Sequence, residues 1–252
     1  MSQNIIKCEK LKKIYRTDKE TEVCAVDIPD FSIKKGEFTI IMGDSGSGKS
    51  TFLYLLSGLE KATSGCINIM DNHIEQMNEA QLALWRREHV GFVFQNINLI
   101  SSMTLLENVL FSGYLHSADR KKVRERAEQL LDIFSLSSQA QKYPSQMSGG
   151  QQQRGAIARA LINSPDIIFA DEPTGSLNSS NGKAVMDALA DLNEKGQTII
   201  MVTHDYKLAA YGNRVIYIRD GKILSEFIVT KSMKKMSERE SALLKWLERK
   251  GW

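Results

Sequence analysis

Residues 43–51 read Gly-Asp-Ser-Gly-Ser-Gly-Lys-Ser-Thr, between a short apolar run, Phe38 to Met42, and a second one opening at Phe52. The spacing G-x-x-x-x-G-K-S after a strand and before a helix is that of a P-loop. Gly43, Gly46 and Gly48 permit backbone conformations that a Cβ would block. Successive N–H groups, including those of Asp44, Ser45 and Ser47, can then converge into a nest for phosphate oxygens. The helix that follows adds the positive end of its dipole. Lys49 is expected to reach the outer phosphates, Ser50 to offer a hydroxyl to Mg²⁺, and Thr51 to line the same turn. By itself a phosphate cradle leaves a kinase, a GTPase, a helicase and a transporter ATPase all open.

A second pair of residues could do chemistry with that phosphate. Ile167-Ile-Phe-Ala forms an apolar run, and Asp171-Glu172 closes it. In open α/β sheets ligands bind beyond the carboxyl ends of the strands, so these acids are expected on the P-loop's side. Asp171 is the candidate to help hold Mg²⁺, which neutralises charge developing on the phosphates. Glu172, one residue on, projects differently and is the candidate general base for an attacking water.

The elements needed to position these groups are legible in the pattern. The 252-residue length suits one large domain or two coupled subdomains, and 42% hydrophobic residues can fill a core. A net charge of +3 is too small to indicate a nucleic-acid partner. Alternation over 3–15 and 22–33 predicts two antiparallel strands around a polar break, Arg16–Thr21. A strand is expected at 38–42, another at Cys66–Met70 with a turn at Asp71-Asn72, a helix over 79–88 and a strand at Val90–Phe94. Helices are expected at 105–115, 120–134 and 149–163, which makes 96–164 a helical insertion. Strand and helix then alternate from 166 to 211, and a hairpin turns at Asp220-Gly221. The fold class is therefore α/β with a mainly parallel core sheet, an antiparallel β subdomain and a helical subdomain. The domain reading is 1–230 as one nucleotide-binding domain, its core and β parts at 1–95 and 165–230, followed by a charged tail at 231–252. Leu243, Leu244, Trp246 and Leu247 in that tail suit a helix packed on its own domain, with a membrane or partner surface as the alternative. No segment approaches the length of a membrane span, no signal peptide opens the chain, and Cys8, Cys24 and Cys66 form no zinc pattern. Three idle thiols in a reducing, cytoplasmic setting are expected.

Between the P-loop and the acidic strand stands Met147-Ser148-Gly149-Gly150-Gln151. Here the chain resembles the ATP-binding cassette (ABC) family, whose members carry L-S-G-G-Q before a helix. Met147 replaces leucine at similar volume, and a serine with two glycines at a helix start makes a second anion site. The resemblance carries further roles by position. Tyr15 matches the aromatic that stacks on adenine. Gln95, closing Gly-Phe-Val-Phe-Gln, matches the glutamine that touches Mg²⁺ and senses the membrane subunit, and His204 matches the switch histidine on the γ-phosphate. Asn178 stands where the family's dimer-interface loop usually has aspartate, so coupling between ATP sites is expected to be weaker.

The resemblance implies ATP and Mg²⁺ as ligands and a dimer, taken as a homodimer, in which each ATP lies between one chain's P-loop and the other's Ser148-Gly149-Gly150. It also implies an integral-membrane permease as partner. Arg86-Arg87, Asn98-Leu-Ile, Leu106-Glu-Asn-Val109 and Ala170-Asp-Glu-Pro-Thr-Gly175 look like the macrolide-exporter and lipoprotein-releasing branch. There the permease has a large extracytoplasmic domain, and the ATPase sits on the inner face of the membrane. A soluble cassette acting on ribosomes or DNA is the competing class, and a small kinase or GTPase is disfavoured by the absence of N-K-x-D.

Overall fold

The computed structural model describes residues 3–16, 22–175, 177–230, 233 and 235–252. The expected polar break before the second strand lies almost wholly outside them, as does part of the start of the tail. The chain divides into two compact units, residues 1–82 with 193–252 and residues 83–192.

The first unit is built on β3 (Phe38–Gly43), whose six residues are all buried. It pairs in parallel with β8 (Thr198–Val202), Phe38 opposite Ile199, and with β9 (Arg214–Arg219), Thr39 opposite Arg214. Burial on both faces explains why Thr-Ile-Ile-Met and Thr-Ile-Ile-Met-Val run apolar without alternation. Strand β10 (Lys222–Ile228) returns antiparallel to β9, and its exposure alternates along its length, as for a half-solvated outer strand. A second, antiparallel sheet has the order β2 (Glu22–Lys34), β1 (Asn4–Arg16), β4 (Ser64–Ile69), β5 (Asn72–His73). Helix α1 (Lys49–Leu56) follows the P-loop, and Phe52 on it meets Phe31 of β2 edge-on at 5.3 Å. That contact fixes the antiparallel sheet against the helix that opens the phosphate site.

The second unit holds the end of α2 (Glu79–His89), β6 (Val90–Val93) and β7 (Ile167–Asp171), parallel with Val90 opposite Ile167. Between those strands come α3 (Leu105–His116), α4 (Arg120–Ile133) and α5 (Gly149–Leu161), which pack on one another. Each starts on a side-chain cap, from Thr104, Asp119 and Ser148 respectively. Helix α6 (Ser179–Glu194) leads out of the unit, α7 (Tyr206–Ala209) is a single turn, and α8 (Met236–Glu248) ends the chain's regular structure.

The elements match the pattern reading with small shifts. The turn expected at Asp71-Asn72 is at Met70-Asp71, where both residues take positive φ (49° and 62°), and Asn72 already belongs to β5. Its amide instead donates to the Met70 carbonyl at 2.9 Å, which ties the turn from its far side. The tail is helical, and it turns Leu243 and Leu247 fully inward while Trp246 meets Phe227 and Tyr217. Its apolar face is thus used inside the first unit. Cys8 is buried, whereas Cys24 and Cys66 are exposed, and all three are free. Among the described residues no helix is long and apolar enough to cross a membrane.

Candidate active site

The sequence-predicted residues fall on both units, and each group has its own geometry. In the first unit the P-loop leaves β3 at Gly43 and enters α1 through Gly48. Gly48 sits at φ 96°, and a Cβ there would lie 2.1 Å from the Ala25 carbonyl oxygen; one on Gly43 would lie 2.0 Å from that of Ile218. Neighbouring backbone therefore presses against the loop at both ends, and only glycine fits. The turn of the β9–β10 hairpin takes part as well. Gly221 donates its N–H to the Ser47 carbonyl at 3.0 Å and accepts from Asp27 N–H at 2.8 Å.

Two features suit this loop to phosphate. Helix α1 starts from Gly48, which has no side chain to cap it, and it carries no acidic residue in its first turn to oppose an anion. Ser47 is 3% exposed, and its Oγ has no hydrogen-bond partner among the described residues. Buried polar atoms without partners are rare, and an incoming oxygen would satisfy this one. Lys49 is buried, and its Nζ donates to the Asp44 carbonyl at 2.6 Å, which holds the ammonium over the loop. Ser45 and Gly46 are exposed at the loop's tip, while Ser50 and Thr51 are half-buried in the first turn of α1.

His204 is exposed just beyond β8. Buried Thr203 fixes the backbone there, its N–H donating to Ile41 at 3.2 Å and its Oγ1 accepting from Asp205 N–H at 3.1 Å. Tyr15, near the end of β1, is 39% exposed, with the Lys13 ammonium 4.9 Å from its ring centroid. An exposed ring there is available for stacking.

In the second unit the structure brings Gln95 and Glu172 together: Nε2 of the amide donates to Oε2 of the carboxylate at 3.3 Å. Asp171 is buried at the end of β7, whereas Glu172 is half-buried and takes φ 44°. A glutamate in the left-handed region is a strained backbone position. Gly175 N–H donates to the Glu172 carbonyl at 3.0 Å and closes the turn there.

Ser148 caps α5. Its Oγ accepts from Gln151 N–H at 3.3 Å, and Gln151 Oε1 accepts in turn from Ser148 N–H at 2.9 Å. The serine's own hydroxyl hydrogen is still available to donate. Gly149 is exposed, but Gly150 is buried against Asn181, whose side chain a Cβ would approach to 2.7 Å. Met147 is buried, as its apolar replacement of leucine requires. Asn178 stands just before α6, and its Oδ1 accepts from Asn181 N–H at 3.0 Å and Ser180 Oγ at 3.1 Å. An amide carbonyl performs that capping task as well as a carboxylate.

The sequence reading missed the supporting residues: the orphaned Ser47 hydroxyl, the Gly221 and Ala25 buttresses, and the pairing of Asp44 with Arg219 and Tyr217. All but the first depend on strands distant in sequence. Among the described residues no cluster of three or more His, Cys, Asp or Glu side chains could hold a metal.

The ABC transporter family pattern matches residues 26–175, more than half of the chain. The chain belongs to the ABC transporter family. It is an ATP-hydrolysing cassette of mixed α/β fold. It is 46% identical over 220 residues to an uncharacterized ABC transporter ATP-binding protein of Methanocaldococcus jannaschii, covering 87% of this chain and 98% of that protein. It is 42% identical over 222 residues to the lipoprotein-releasing system ATP-binding protein LolD of Aquifex aeolicus, covering 88% and 97%. It is also 45% identical over 223 residues to the macrolide export ATP-binding/permease protein MacB of Neisseria meningitidis, covering 88% of this chain but 34% of that protein. The cassette thus spans about a third of the length of its MacB relatives. A solved dimeric ATP-binding cassette in a post-hydrolysis state, bound to ADP and Pi, superposes with a TM-score of 0.83 at 40% identity, covering 89% of this chain and 99% of that one.

Proposed function

We propose that this cassette is the ATPase subunit of a membrane complex that exports or releases peptide, drug or lipoprotein cargo, or transmits force across the membrane, through a permease with an extracytoplasmic domain. Likeness to MacB and LolD over 88% of the chain is the observation that carries this reading. The near-complete match to LolD, named as the ATP-binding protein of its system, supports a permease on a separate chain and a cassette held peripherally on the inner face of the membrane.

For the chemistry, the P-loop from Gly43 to Thr51 holds the phosphates, with Lys49 on the outermost and Tyr15 on the base. Ser50, Asp171 and Gln95 would hold Mg²⁺, which when bound would supply charge neutralisation on the phosphates. Glu172 takes the proton of the attacking water and His204 contacts the γ-phosphate. Two copies of the chain form the working unit, Ser148, Gly149, Gly150 and Gln151 of one copy completing the site of the other, with Asn178 at their interface. The uncapped start of α1, the orphaned Ser47 hydroxyl and the likeness to a dimeric cassette bound to ADP and Pi support these roles.

Purification of the chain from detergent-solubilised native membranes, with identification of what accompanies it, tests the reading. A multi-span permease with an extracytoplasmic domain is the expected companion. Recovery with ribosomes or nucleic acid alone would overturn the transport function while leaving the ATPase intact.

A further inference from the structure

We propose that Arg219 is a positioning residue for the P-loop, acting through Asp44, and that it raises the affinity of the loop for a nucleoside triphosphate. The inference rests on the P-loop's being the phosphate site. Asp44 places a carboxylate in the very loop whose amides are to receive anionic oxygens. Unpaired, that charge would repel the incoming phosphates.

The structure pairs it from one side. Asp44 Oδ2 accepts from Arg219 Nε at 3.3 Å, and Oδ1 accepts from the Tyr217 hydroxyl at 3.4 Å. Arg219 Nη2 donates in turn to the Tyr217 Oη at 3.0 Å, and its guanidinium lies 5.4 Å from that ring's centroid. Tyr217 is fully buried, so its hydroxyl is a fixed point rather than a mobile surface group. Arg219 is restrained further by the Gly251 carbonyl, 3.5 Å from Nη2, just beyond α8. On the loop side, the Asp44 carbonyl accepts from Lys49 Nζ at 2.6 Å and from Ser47 N–H at 3.2 Å. Asp44 is therefore the residue at which the β9 pair and the phosphate-binding lysine meet. Arg219 neutralises the carboxylate and keeps it turned away from the nest, and the backbone that orients Lys49 is held with it.

The test is a double-mutant cycle on ATP binding by the whole chain, followed with a fluorescent ATP analogue at low and high salt. Because Asp44 and Arg219 are partly solvated (52% and 34% side-chain exposure), the expected loss in Arg219→Ala is modest, about threefold to fivefold at low ionic strength. It shrinks in high salt. Arg219→Lys restores most of the affinity, which also controls for a folding defect. In an Asp44→Asn background, Arg219→Ala produces no further loss, because no carboxylate is left to neutralise. An equal loss in both backgrounds, or none in either, would overturn the proposal while sparing the P-loop assignment. Failure of the parent chain to bind the analogue would instead overturn the functional reading beneath it.

Discussion

Lys49 shows how much a single side chain is asked to do. The residue is buried, and its ammonium donates to the Asp44 carbonyl of its own loop at 2.6 Å. Lys49→Ala should weaken ATP binding tenfold or more, since a hydrogen bond to a charged group contributes about 1.5–3 kcal/mol. Equilibrium titration checks this, and unchanged affinity would remove Lys49 from the site. Glu172 is a different case, because its backbone is strained and its carboxylate meets Gln95. Glu172→Gln keeps the shape and loses the base, so ATP should bind while hydrolysis falls by about 10²–10⁴-fold. Steady-state phosphate release at the parental rate would show that Glu172 is not the base. The cysteines give a third residue-scale expectation. Burial pushes the Cys8 thiol well above its ordinary pKa, with Glu75 adding to the effect, whereas Cys24 and Cys66 are exposed. Because the thiolate is the reactive form, a thiol reagent should label two cysteines in the native chain. The third should react only on unfolding, and rapid labelling of all three would contradict the buried position of Cys8.

At the scale of elements, the contrast between two helix starts carries the functional meaning. Helix α1 opens without a side-chain cap, and α5 opens on the Ser148–Gln151 capping box. A loop that must bind an anion gains by leaving its N–H groups uncovered. Ser148→Ala should cost about 1 kcal/mol of stability through the lost cap. It should reduce ATP hydrolysis by more than its shift in melting temperature explains, because the same hydroxyl is proposed to donate to the partner's nucleotide. A proportionate loss of stability and activity would reduce Ser148 to a cap. Helix α8 belongs to the fold rather than the surface. Leu243→Ala removes a fully buried side chain and should cost about 2–5 kcal/mol, read as a lower urea midpoint for the whole chain. A change of a few tenths would mean that α8 is not docked.

For the whole molecule, the working ATPase is proposed to need two copies. Glu172→Gln with ATP should therefore sediment as a dimer, and the same protein without nucleotide as a monomer. Adding Ser148→Ala should weaken that dimer. A monomer under all conditions would rule out the shared site. Asn178 bears on the same question, since it caps α6 through its carbonyl and so preserves the local turn without a charge. What its neutrality changes is the field at the proposed interface, not the fold of the loop.

Local sequence determined what depends on local geometry. The apolar runs became buried strands, glycine and serine spacing gave the loop and helix starts, and Asp220-Gly221 made a tight hairpin turn, because each rests on the conformations of a few neighbouring residues. The residues proposed to carry the chemistry stand out along the chain for the same reason: phosphate nests and capped helix starts are local motifs. Only the tertiary structure decided how the motifs are held. The Ala25 and Ile218 carbonyls that exclude a Cβ from Gly48 and Gly43, the Gly221 amide on Ser47 and the Arg219 side chain on Asp44 come from strands as many as 175 residues away. Such contacts have no period or spacing along the chain. They arise when distant segments close-pack, and only folding brings them into reach.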